Sequence, residues 1–78
     1  MGEKTERELI GKRIASARKA REMTQAELAK GAGAHFQTIS KWERGVLTPS
    51  APQLAALCKT LGVTADYLLG LTEEEPWD

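Results

Sequence analysis

An all-α domain of five short helices is predicted by three features of this 78-residue sequence. Apolar residues return at intervals of three and four, and no stretch alternates apolar with polar as a half-buried strand would. Two capping boxes, Thr24-Gln25-Ala26-Glu27 and Ser50-Ala51-Pro52-Gln53, mark helix starts. In each, the hydroxyl can accept the N–H three residues on, and that residue's side chain can return to the cap's own N–H. Glycines then punctuate the pattern: the pair Gly31 and Gly33, followed by Gly45 and Gly62. A glycine at a helix end supplies the left-handed residue that turns the chain sharply.

The first helix is expected from about Glu6 to Arg21, with Ile10, Ile14 and Ala17 inward and Arg18 beside that stripe. Lys12, Arg13 and Lys19 then face water. The second runs from its Thr24 cap to Ala32, turning Leu28, Ala29 and Ala32 inward. Gly31 should weaken its end by about 1 kcal/mol relative to alanine. The third spans about Phe36 to Arg44. The fourth, capped by Ser50, carries Leu54, Leu57, Cys58 and Leu61 on one face and stops at Gly62. Thr64 caps a fifth through about Leu69, with Tyr67, Leu68 and Leu69 available for packing. The expected organisation is an extension or start of the first helix over 1–8, one domain over 9–71 and an acidic, flexible tail over 72–78.

Composition narrows the function classes. Apolar residues make up 41% and charged residues 28%, a globular mixture whose core must be aliphatic because only four residues are aromatic. So small a chain has little room for a cofactor site beside a substrate pocket, and no paired acid–base set or nucleophile–base set stands out. No enzyme, catalytic residue or cofactor is therefore expected. Cys58 is the only cysteine and His35 the only histidine, which excludes an internal disulfide, a cysteine zinc cluster and a histidine-based metal site. Cys58 reads as a packing thiol, and His35 as a helix-terminal or surface residue. There is no apolar run of membrane length and no leader, so no membrane association is expected and the cytoplasm is the expected compartment. The net charge of zero conceals a segregation: residues 9–72 hold nine Lys and Arg against four Asp and Glu, whereas 73–78 hold four acids. A basic body with an acidic tail is compatible with nucleic acid.

The third helix carries the chemistry. At 100° per residue, Ile39, Trp42 and Glu43 gather on one side and Gln37, Lys41 and Arg44 on the other, with Thr38 and Ser40 as flanks. Glutamine can pair with adenine and lysine can reach guanine acceptors or phosphate, so this outer rail suits a major groove. An ordinary amphipathic surface helix would share the pattern. What precedes it favours the groove: a short capped helix, a glycine turn and small residues at Ala29, Ala32, Gly33 and Ala34 that permit a close crossing. That is a helix-turn-helix formed by helices two and three. Trp42 reads as a packing residue with one exposed edge, and Glu73 to Glu75 as a solvated tail, with DNA mimicry or partner docking as the other readings.

Ile10-Gly11-Lys12-Arg13-Ile14, Met23-Thr24-Gln25-Ala26-Glu27-Leu28-Ala29 and Ile39-Ser40-Lys41-Trp42-Glu43-Arg44-Gly45 stand in this order. Pro49-Ser50, Leu61-Gly62-Val63 and Asp66-Tyr67-Leu68-Leu69 follow them. In these blocks the chain resembles the phage-repressor and Cro-type (XRE) helix-turn-helix family over about Ile10 to Leu71. The resemblance implies a compact five-helix, repressor-like domain that binds double-stranded DNA in sequence-specific fashion. It implies base contacts from Phe36, Gln37, Thr38 and Lys41. It implies backbone contacts from Thr24, Gln25, Ser40, Arg44 and the loop from Gly45 to Thr48, partly through main-chain N–H groups. Arg18 and Glu43 match the family's interhelical ion pair. Phe36 stands where polar residues are common; it can meet a thymine methyl or cover the helix start. Ala17, Ala32 and Ala34 replace larger aliphatics, implying a thinner core. The implied activity is transcriptional regulation, as a repressor bound to an inverted-repeat operator as a homodimer, in a bacterial or phage-encoded, nucleoid-associated setting. The alternative is an antitoxin or adaptor that uses the fold, through helix five or the acidic tail, to hold a protein partner.

Overall fold

The computed structural model describes residues 2–74, with side chains from Glu6 onward. Five helices follow one another: α1 (Gly2–Ala20), α2 (Gln25–Ala32), α3 (Phe36–Glu43), α4 (Ala51–Leu61) and α5 (Ala65–Leu69). Both capping boxes form with both of their bonds. Thr64 caps α5 by accepting the Tyr67 N–H at 3.1 Å. Gly33, Gly62 and Gly70 take left-handed conformations at the ends of α2, α4 and α5. These local signals sit where the sequence puts them because each satisfies backbone groups within one turn.

The first helix departs from expectation at both ends. It begins at Gly2 instead of near Glu6, for residues 3–8 contain neither proline nor glycine to stop it. At its other end the left-handed residue is not a glycine but Glu22, at φ 58. There the Met23 N–H donates to the Arg18 carbonyl at 3.1 Å, so the turn closes despite the unfavourable backbone region.

Ile14 and Ala17 of α1 meet Leu28, Ala29, Ile39, Trp42, Leu57, Leu61, Val63, Tyr67 and Leu68 in one core. Ile10, Met23, Ala32, Ala34, Leu54 and Cys58 are packed against it and partly buried. The expected inward stripes of α1, α2 and α4 therefore hold. Burial raises the Cys58 thiol pKa, in keeping with a packing role. Two expectations fail. Trp42 has no exposed edge, being only 2% exposed, and Leu69 lies outside the core. Three consecutive residues of a five-residue helix point 100° apart, so one must leave the core face.

Two glycines inside helices set how closely those helices approach. A Cβ on Gly11 would strike the main-chain carbonyls of Trp42 and Glu43, so α1 and α3 touch backbone to backbone there. A Cβ on Gly31 would lie 2.6 Å from Thr60 Cγ2, where α2 meets α4. The intrinsic helix penalty expected at Gly31 is thus offset by the crossing that it permits.

Long-range bonds from arginines complete the frame. Arg21 Nε donates to the Leu61 carbonyl at 2.8 Å, placing a cation at the negative end of α4. Arg13, expected in water, donates instead from Nη1 to the carbonyls of Tyr67 at 3.1 Å and Thr72 at 2.7 Å. Its guanidinium carbon also lies 4.6 Å from the centre of the Tyr67 ring. The expected tail is therefore tied down at its first residue, while its last four residues, 75–78, lie outside the described residues. No described helix is long and apolar enough to cross a membrane.

Candidate nucleic-acid interface

The orientation of α3 is set from behind. Ile39 is fully buried and Trp42 nearly so, which fixes its inner face against α1 and α2. Glu43 adds a polar lock. Arg18 Nε donates to Glu43 Oε2 at 2.7 Å and Arg18 Nη2 to Oε1 at 3.1 Å, a two-point fork. Arg18 Nη1 also donates to the Met23 carbonyl at 2.9 Å. Hydrogen bonding and charge from Glu43 raise the Arg18 pKa above its ordinary value, against burial that lowers it. Gln25 Nε2 donates to Glu43 Oε1 at 3.0 Å, so three helices converge on one carboxylate. The expected ion pair is present, and Gln25, expected at the DNA backbone, also braces α3.

With that face fixed, the opposite one is open. Gln37, Lys41 and Arg44 are exposed, Thr38 and Ser40 are half-buried flanks, and Phe36 is 52% exposed. All four residues expected at base edges, Phe36, Gln37, Thr38 and Lys41, belong to this one helix. The exposure of Phe36 favours an outward role over covering the helix start. His35 occupies the N-cap position but makes no side-chain cap bond. The first N–H groups of α3 therefore have no side-chain cap, and the end of a helix left so suits an anionic neighbour.

Among the residues expected to meet the DNA backbone, Arg44 Nε donates to Ser40 Oγ at 3.2 Å, which steers the guanidinium along the helix. The hydroxyl of Thr24 and the N–H of Glu27 are engaged with each other at 3.0 Å in the cap of α2. The loop differs from what the resemblance implied. The N–H groups of Gly45, Val46 and Leu47 donate inward, to the carbonyls of Trp42 and Lys41. Those amides close the end of α3, as the orphan carbonyls of a helix terminus require, so only Thr48 keeps a main-chain N–H for a ligand.

Val46 and Leu47, expected only as part of the loop after α3, have apolar side chains that are about half exposed. Two adjacent apolar residues in a loop were the signal. Gly11, whose hydropathy signals nothing in the Ile10–Ile14 block, admits the carbonyls of Trp42 and Glu43 against α1. Among the described residues no group of three or more His, Cys, Asp or Glu is placed to hold a metal ion.

The helix-turn-helix family model matches residues 14–68. Repressor protein C2 of Salmonella phage P22 is 42% identical over 62 residues, covering 80% of this chain and 29% of the phage protein. The transcriptional regulator DicA of Escherichia coli is 37% identical over 68 residues, covering 86% of this chain and 50% of DicA. This chain thus spans half or less of either relative. The crystal structure of the P22 c2 repressor in complex with a synthetic operator superposes with a TM-score of 0.76 at 43% identity, covering 78% of this chain and 92% of that one. With the family model matching residues 14–68 and α2 and α3 forming the motif, the chain belongs to the phage-repressor and Cro-type helix-turn-helix family.

Proposed function

We propose that this protein is a sequence-specific, double-stranded DNA-binding transcriptional regulator that represses by occupying an inverted-repeat operator as a homodimer. The observation that carries this reading is the division of α3: Ile39, Trp42 and Glu43 are locked behind, while Gln37, Lys41 and Arg44 protrude. In the P22 repressor, 43% identical in structure comparison, the equivalent fold is seen on an operator. Base identity is read by Phe36, Gln37, Thr38 and Lys41. Phosphates are met by Arg44, Thr48 and the N-terminal turn of α2 at Thr24 and Gln25, with Ser40 and Gly45 shaping that contact.

One domain of this size reaches few bases, so a second copy supplies the rest, with recognition helices about 34 Å apart on one face of the duplex. Leu69 at the end of α5, 41% exposed, and Leu71 just after it, 72% exposed, form an apolar edge suited to a protein contact, of which a second copy is the simplest. This reading places the protein in the cytoplasm of a bacterium, on the nucleoid, encoded by the host or a phage.

Selection of bound duplexes from a random pool tests the proposal. Enrichment of an inverted repeat with half-sites about one helical turn apart is expected, with affinity falling as salt rises. A pool that stays random after repeated rounds contradicts it.

A further inference from the structure

Among the described residues Phe36 is the one aromatic side chain left in water. Trp42 and Tyr67 are buried, whereas Phe36 is 52% exposed and belongs neither to the core nor to the apolar residues packed against it. Neither helix formation nor core burial accounts for it, since a ring in place of alanine lowers helix propensity and leaves apolar surface in water. Its place on α3 does. Phe36 is the first residue of that helix, ahead of Gln37 and one turn before Ser40 and Lys41. Helical side chains lean toward the N-terminus, so with no residue of α3 before it the ring projects past the helix start. A major groove that receives α3 offers such a ring a single apolar group. Base edges there present donors and acceptors only, apart from the C5-methyl of thymine. Pressed against a donor or acceptor, the phenyl ring would strip it of water and return no hydrogen bond.

We propose that Phe36 reads a methyl group: the C5-methyl of thymine at one position of each half-site, and with it that of 5-methylcytosine, which stands at the same ring position. Phe36 has no polar side-chain atom, so it is blind to what separates those two bases, the O4 acceptor of one and the N4 donor of the other. Gln37 and Lys41, by contrast, read hydrogen-bonding groups. Cytosine at the Phe36 position is then a weak site that methylation strengthens, which makes the protein sensitive to the modification state of the DNA it binds. The inference deepens the DNA-binding reading and rests on it.

The test starts from a duplex that the full chain enriches from a random pool. Each thymine is replaced in turn by deoxyuridine, which removes the methyl and keeps every hydrogen-bonding group. One thymine per half-site is expected to lose about fourfold in affinity, as one buried methyl is worth. Phe36→Ala should bind the thymine and deoxyuridine duplexes equally, whereas Gln37→Ala should weaken both and keep their ratio. At the same position, 5-methylcytosine should bind wild type about fourfold tighter than cytosine, and Phe36→Ala no tighter. Methyl effects that persist in Phe36→Ala, or none at any thymine, overturn the inference and leave the DNA reading standing. Melting of Phe36→Ala judges the competing role. Unchanged melting is expected; a fall on the order of 10 °C would put the ring over the helix start and overturn the methyl contact. If no duplex is enriched, the DNA reading fails and the inference fails with it.

Discussion

Arg18 grips Glu43 through two parallel bonds of 2.7 and 3.1 Å, with 13% and 8% of the two side chains exposed. Such a pair orients α3 more than it stabilises the fold, since desolvation offsets most of the attraction. Removing one partner is another matter. In Arg18→Ala the Glu43 carboxylate keeps only Gln25, and the loss is expected to be about 3 kcal/mol. Melting should fall by on the order of 10 °C, and DNA affinity should fall with it because α3 loses its lock. Unchanged melting would contradict this role.

Gly11→Ala is expected to be more damaging than helix propensity suggests. Alanine gains about 1 kcal/mol in a helix interior, but the new methyl meets main-chain carbonyls at the end of α3, which cannot rotate away. A net loss of about 1–3 kcal/mol in urea unfolding is expected, as for overpacked cores. A gain in stability would show that α1 and α3 are further apart.

Glu22→Gly should do the reverse. Glu22 occupies the left-handed region at φ 58, where a side chain is disfavoured and glycine is not. Stabilisation of about 0.5–1 kcal/mol is expected from chemical denaturation, with no change in DNA binding. A loss would mean that the Glu22 side chain makes a compensating contact.

Gln37 and Arg44 should separate into different kinds of loss. Gln37→Ala is expected to cost about 1–3 kcal/mol on the preferred sequence and little on random DNA. Arg44→Ala should weaken both equally and reduce the salt slope by about one. Equal behaviour of the two variants would refute the assignment of base and backbone roles.

How far these features could be read from sequence follows their range along the chain. The Thr24, Ser50 and Thr64 caps and the glycine stops were legible because each closes bonds within three or four residues. The two faces of α3 were legible because period alone separates them. The Arg13 bonds to residues 54 and 59 positions away were not, since periodicity turns every cation beside an apolar stripe toward water. Gly11 escaped for the same reason: it is silent in a hydropathy pattern, and its role exists only once α3 has docked. The loop amides at 45–47 were assigned outward by family resemblance, whereas the carbonyls ending α3 claim them.

The central claim is that the outer face of α3 meets duplex DNA. It is tested most directly by titrating isotope-labelled protein with a selected duplex and mapping amide shift changes. The largest changes are expected across Phe36 to Lys41, at Arg44 and Thr48, and at the start of α2. Changes confined to α4 and α5, with the amides of α3 unmoved, would contradict it.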